Sequence, residues 1–310
     1  KNKYSMRVLK KLKEENLIFF DIETASVVKQ LELDTPLFDS WAYKVNKKGE
    51  LSNDEVIESY SKGAGLHPEF AKVVSIVVGK IVKGKIYLIT LDHDSEADLL
   101  QEFNKTIERN VKCNLVGFVN NGFDTPFVYR RMVINGIEPH DKLDVSGLKP
   151  WEIDHIDLAL EWKSSSFERA SLINVATAFG LPSPKDDISG ADVAKTYWSE
   201  GRKGLDRISA YCRKDVITTI NIFKKMRLEE PLEAANDEPA PVVEDDLITK
   251  LFNGGQYGAA EKKGLKALID AMSEDEQDKA LEVLNAMTST AKAKKTKITK
   301  AHVRALKAGK

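Results

Sequence analysis

Partway through its first 228 residues the chain changes the period of its apolar side chains, and that change limits the folds open to it. Leu17 to Phe20 is a compact apolar run ending at Asp21. Val73 to Val82 and Ile86 to Leu91 are β-rich runs joined at Lys83-Gly84, a two-residue hairpin connection. Beyond them the spacing turns helical, with Leu99, Leu100, Phe103 and Ile107 on one face of Ala97 to Arg109. Leu115 to Val119 then reads as a strand, Thr125 to Ile134 as a helix and Ile156 to Leu160 as a further strand. Leu172 to Phe179 reads as a helix closed by Gly180 with Pro182 beyond, and Leu205 to Met226 as a long helix. Three antiparallel strands followed by crossover units predict an α/β fold, a mixed sheet flanked by helices.

The chain has 310 residues, 42% hydrophobic and 31% charged, which suffices for one sizeable core plus an appendage and excludes a collagenous, disulfide-dense or wholly disordered protein. The net charge of -1 conceals a segregation. From Glu229 to Asp246 there are eight acidic residues, three prolines and no basic residue; from Thr288 to Lys310 there are seven Lys, Arg304 and no acid. These runs divide the sequence into a domain over 1–228, an extended, solvated acidic linker over 229–246, a small helical appendage over 247–287 and a basic tail over 288–310. Cys113 and Cys212 are far apart and form no CxxC or Cys/His cluster, so neither a disulfide framework nor a zinc site is expected, and a reducing compartment, the cytoplasm, fits. The longest apolar run, Val73 to Val82, is too short to span a bilayer. No GxxxxGK[ST] or GxGxxG sequence is present, which leaves nucleoside-triphosphate hydrolysis and dinucleotide binding without support.

Three sets of acids stand out. Asp21 and Glu23 are two apart in a strand, so their carboxylates share a face and can meet one cation. Asp124 follows a strand and a Gly-containing turn, Gly117-Phe118-Val119-Asn120-Asn121-Gly122-Phe123; it is placed either to bind metal or to cap the helix opening at Thr125-Pro126, and the two roles are compatible. Tyr211 and Asp215 stand four apart on the last helix and share a face. Asp157 and Asp192 read as a strand-end and a helix-start residue, the four Trp as packing groups, and His67, His93, His140, His155 and His302 as structural or surface residues.

Asp-x-Glu after a first apolar strand, an aromatic-Asp pair about a hundred residues later and Tyr-xxx-Asp on a late helix resemble, in that order, the three motifs of the DEDDy, or DnaQ-like, 3′-to-5′ exonucleases. More narrowly the sequence resembles stand-alone exonucleases related to the proofreading domain of B-family DNA polymerases, with supporting stretches at Leu66-His67-Pro68-Glu69-Phe70, Phe123-Asp124-Thr125-Pro126-Phe127 and Gly190-Ala191-Asp192-Val193. The likeness covers roughly residues 15–228. Where the family commonly carries a His-Asn pair ahead of the second-motif Asp, this chain has Phe118-Val119; Asn120 keeps the looser Asn-xx-aromatic-Asp spacing.

The resemblance implies an RNase H-like fold and a metal-dependent 3′-to-5′ exonuclease that cleaves single-stranded DNA and releases nucleoside 5′-monophosphates. Two divalent cations, Mg²⁺ or Mn²⁺, would be held by Asp21, Glu23, Asp124 and Asp215, hard oxygen donors suited to hard cations. Tyr211 would orient the attacking water, and Thr24, Asn120 and Phe123 would contact substrate. Single-stranded DNA 3′ ends are the expected partner, with a separate polymerase or replication partner engaged through the C-terminal region and no membrane. The alternatives are an RNA exonuclease and a nucleic-acid-binding or scaffold protein that retains the fold with little catalysis.

Overall fold

Leu17 and Phe19 alternate with Ile18, Phe20 and Ile22, which places one set on each face of a strand, and β1 (Leu17–Ser26) is the central strand of a five-stranded sheet. In the computed structural model, residues 9–149, 152–168, 170–183 and 187–235 are described. β2 (Ala71–Val82) pairs antiparallel with β1, and β3 (Lys85–Leu91) antiparallel with β2 across the Lys83-Gly84 turn. β4 (Asn114–Gly117) runs parallel to β1 on its other side, and β5 (Ile156–Asp157) parallel to β4. The order β3-β2-β1-β4-β5 with these directions is the mixed sheet, three antiparallel strands followed by parallel ones, that the sequence predicts.

Helices α1 (Pro36–Val45) and α2 (Asn53–Gly63) lie between β1 and β2, α3 (Glu96–Arg109) between β3 and β4, and α4 (Asp124–Ile134) between β4 and β5. After β5 come α5 (Leu158–Lys163), α6 (Leu172–Ala178), α7 (Val193–Glu200) and α8 (Arg202–Met226). Both sheet faces are covered. On one, Leu99, Leu100 and Phe103 of α3 and Phe127 and Met132 of α4 join Ile18, Phe20 and Val78. On the other, Cys212, Val216, Ile220 and Phe223 of α8 join Leu17, Phe19 and Val77. Helix α8 comes so close that a Cβ at Gly79 of β2 would lie 2.8 Å from Val216 and 3.0 Å from Ile220. That seating fixes the height of Tyr211 and Asp215 above β1.

The structure differs from the sequence reading in several places; the strand read over Leu115 to Val119 stops at Gly117, and α7 is a helix that the sequence reading does not contain. The segment between β1 and β2 is not a plain connection: α1 and α2 build a core of their own from Leu31, Phe38, Trp41, Val56, Tyr60 and Phe70. Both have readable starts, since Thr35 accepts from Phe38 N with Pro36 in the first turn, and Ser52 and Glu55 form a capping box. The strand expected over Ile156 to Leu160 stops at Asp157, whose side chain accepts from Ala159 N and Leu160 N and starts α5 instead. Residues 229–235, read as the start of a solvated linker, are bonded to the domain. Leu232 exchanges hydrogen bonds with the Asn221 side chain, and Ile86 of β3 donates to Glu233 O and accepts from Ala235 N. Glu229 is paired with Lys224 and Arg227.

The chain divides into two units, Lys1–Ala240 and Pro241–Lys310. The described residues belong to the first, so the appendage over 247–287, the tail over 288–310, Trp151 and His302 lie outside them. Among the described residues no helix is long and apolar enough to cross a membrane.

Candidate active site

β1 has different neighbours on its two sides, and the acids gather where one of them ends. The parallel ladder to β4 pairs Leu17, Ile18 and Phe19 with Asn114, Leu115 and Val116, and β4 stops at Gly117 while β1 continues to Ser26. The Ile22 N–H, past the end of that ladder, donates to Asp124 Oδ1 at 3.2 Å. Asp124 is therefore not the cap of α4: Phe123 holds the N-cap position with no side-chain bond, and the Asp124 carboxylate is turned to β1. Of the two roles open to it in the sequence, helix capping is the one the structure removes.

Asp21 and Glu23 project from the same side of β1, next to a register irregularity between Glu23 and Thr24 in the pairing with β2. Helix α8 brings Asp215 and, one turn earlier, Tyr211 to this face, with the phenol hydrogen-bonded to Asp215. Glu23, Asp124 and Asp215 are buried and Asp21 is partly buried. The five side chains singled out in the sequence as catalytic thus converge on one end of the sheet.

The electrostatics follow from that crowding. Burial, and then repulsion from Asp124, Asp215 and Glu23, holds the Asp21 carboxyl well above the usual carboxylate range. Glu23 is raised in the same way by burial and by Asp215 and Asp124. Burial pushes Asp124 up to about 7, against the hydrogen bonds that lower it. The Tyr211 phenol is pushed up by burial and by Asp215, Glu23 and Asp21, so it keeps its proton at neutral pH.

Cys212 belongs to the same cluster and went unnoticed in the sequence. Its buried thiol lies 3.4 Å from Asp21 O and 3.5 Å from Asp21 Oδ2, and burial followed by the charge of Asp21 raises its pKa well above the usual value. It stays a thiol that donates to Asp21. The signal was available: Cys212 is three residues before Asp215 and shares its helix face.

The expected substrate contacts are placed less uniformly. Thr24 Oγ1 donates to Gly65 O at 2.7 Å, tying β1 to the end of the α1–α2 insertion while leaving its acceptor capacity open. The Phe123 ring packs against Phe127 with centroids 5.3 Å apart and the ring planes tilted by 46°. Asn120 is fully buried, and neither its Oδ1 nor its Nδ2 has a hydrogen-bond partner among the described residues. Asp157 and Asp192 are helix-start groups, and Trp41 packs on Tyr60 and Phe70, as the sequence suggested.

The donor set fits a divalent cation. Several carboxyls crowded out of water repel each other, and the largest interactions on Asp21, Glu23 and Asp124 come from burial, from neighbouring acids, from backbone amides and from the Cys212 thiol. Oxygen donors of this kind suit Mg²⁺ or Mn²⁺.

Residues 66–245, more than half of the chain, match a family described as predicted 3′-5′ exonucleases related to the exonuclease domain of PolB. The chain belongs to this family. Its enzyme class is accordingly that of a 3′-to-5′ exonuclease, a hydrolase. Among solved structures the chain is similar to the family B DNA polymerase from the hyperthermophilic archaeon Pyrobaculum calidifontis, at 17% identity and a TM-score of 0.43. That match covers 68% of this chain and 24% of the polymerase. No curated protein matches the chain.

Proposed function

We propose that this exonuclease degrades single-stranded DNA from its 3′ end, releasing nucleoside 5′-monophosphates with the help of two divalent cations. The convergence of Asp21, Glu23, Asp124 and Asp215, with three of the four pKa values raised by burial and mutual repulsion, carries the reading. These four carboxylates would hold the cations. When bound, such ions activate a water and stabilise charge on the phosphoryl group and the leaving oxygen.

The chain's own groups do the rest. Tyr211, protonated and bonded to Asp215, offers its phenol oxygen to a water and orients it; a phenol held this far from ionisation does not act as the base. Cys212 fixes the Asp21 side chain. Thr24 and Phe123 contact the terminal nucleotide, whereas Asn120, expected there from the sequence, is fully buried in the β4–α4 turn and does not reach it; the basic tail over 288–310 adds phosphate contacts or docks a separate polymerase.

The test is a single-stranded oligonucleotide labelled at its 5′ end, incubated with Mg²⁺ or Mn²⁺ beside the RNA of the same sequence. Stepwise shortening of the DNA with release of 5′-mononucleotides is expected. Preferential loss of the RNA would replace the substrate assignment, and an intact DNA bound equally well by wild type and Asp21→Ala would favour a binding protein.

A further inference from the structure

Asp157 does more than start a helix. It is 5% exposed, and its carboxylate stands where two elements meet. Oδ1 accepts from Ala159 N at 3.0 Å and Leu160 N at 3.2 Å, which caps α5. The same atom accepts from Val119 N at 3.0 Å, and Oδ2 accepts from Asn121 N at 3.3 Å. The last two bonds reach back to the turn that joins β4 to α4.

That turn is costly to form. Val119 has φ of +69°, a left-handed conformation that strains a β-branched residue. Asn120 is 0% exposed with both amide atoms unpartnered among the described residues, which leaves the desolvation of each group uncompensated. It is pressed against β4: a Cβ at Gly117 would lie 2.6 Å from Asn120 Cβ. Two of the turn's internal bonds hang from Val119, which Asp157 grips, with Gly122 N and Phe123 N donating to Val119 O; a third runs from Thr125 N to Asn120 O, between the two gripped residues. Asp124 follows directly, its Oδ1 on Ile22 N.

We propose that Asp157 is a positioning residue for Asp124: by gripping the Val119 and Asn121 amides it holds the strained β4–α4 turn and so fixes the Asp124 carboxylate beside β1 for metal binding. The inference rests on the metal role assigned above. It separates the two jobs of Asp157, since the α5 cap needs one short acceptor, whereas the turn needs a carboxylate long enough to reach across.

Asp157→Ser tests that separation, because serine caps a helix well but has a single oxygen on a shorter side chain. The readout is Mn²⁺ binding by the full chain without nucleic acid, followed by electron paramagnetic resonance of the free ion, at temperatures where circular dichroism shows the variant folded. The concentration for half-saturation should rise about 10-fold or more, the range found for residues that orient metal ligands. Adding Val119→Gly, which relieves the left-handed strain, should recover part of that loss. A folded Asp157→Ser protein with wild-type Mn²⁺ affinity and only a lowered Tm would overturn the proposal. Should that variant fail to fold, Asp157→Asn takes its place: it keeps the Oδ1 acceptor and loses the bond to Asn121 N, so a smaller rise is expected and an unchanged affinity again overturns. Absence of Mn²⁺ uptake by the wild type would sink the metal reading itself, and the positioning role with it.

Discussion

On the α3 side of the sheet, Glu96 and Arg131 are about as buried as the acids beside β1, yet every charge there has its answer within the chain. Arg131 meets Glu96 through Nε at 2.8 Å and Nη2 at 2.5 Å, and its Nη1 donates to Pro68 O. Glu96 also accepts from Val73 N and from Asn135 Nδ2. Across the sheet, Asp21, Glu23 and Asp124 face each other and Asp215, and burial and mutual repulsion raise their pKa values. One cluster joins α3, α4 and β2 and is complete at folding. The other crowds buried carboxyls whose ionisation is opposed by burial and by each other, so that ionising them costs stability, which is the arrangement expected where function has been built at the expense of stability.

The largest way to separate the two is to truncate them. Asp21→Ala or Asp124→Ala should lower the single-turnover rate by at least about 10³-fold, since the cations proposed for this site would supply several kcal/mol of transition-state stabilisation. The same change should leave Tm near or above the wild-type value in the absence of metal. Arg131→Ala should do the reverse: it strands Glu96 in the interior and should cost about 3–5 kcal/mol by denaturant unfolding, with the half-saturating Mn²⁺ concentration unchanged. Loss of metal affinity in a folded Arg131→Ala protein would show that the two clusters are not independent.

A smaller effect sharpens the comparison. A carboxyl whose folded-state pKa is raised holds its proton more tightly folded than unfolded, so the metal-free protein loses stability as pH rises from the ordinary 3.8 of Asp124 through about 7. Asp124→Asn removes that charge and keeps an oxygen for Ile22 N. Its metal-free Tm should exceed that of wild type at pH 8, by at most the equivalent of about 4 kcal/mol, and the difference should vanish below about pH 4. A gain that persists at low pH would assign the effect to packing.

Much of this was legible in the sequence, and what was missed has local causes. The β1–β3 runs, α3 and α8 have strong periodicity because each buries a broad face, and the spacings of Asp21 with Glu23 and of Tyr211 with Asp215 follow from the two backbone periods. The α1–α2 insertion escaped because its small core draws on scattered residues, Leu31, Phe38, Trp41 and Tyr60, and its signal lies in the caps at Thr35-Pro36 and Ser52-x-x-Glu55. The sequence over 156–160 is apolar enough for a strand, but the Asp157 side chain redirects the backbone, a choice that periodicity does not report. Neither the tertiary bond from Ile22 N to Asp124 nor the grip of Asp157 on Val119 and Asn121 can be seen without the fold, since each spans more than thirty residues.

The account turns on whether a cation relieves the repulsion among the β1 acids. Calorimetric titration of the full chain with Mn²⁺ at pH 7, repeated in buffers of different ionisation enthalpy, reads this directly, because carboxyls that hold protons when metal-free must release them to bind metal. Saturable binding with net proton release is predicted, with less release in Asp124→Asn. Mn²⁺ that fails to bind, or binds with no proton released, would contradict it.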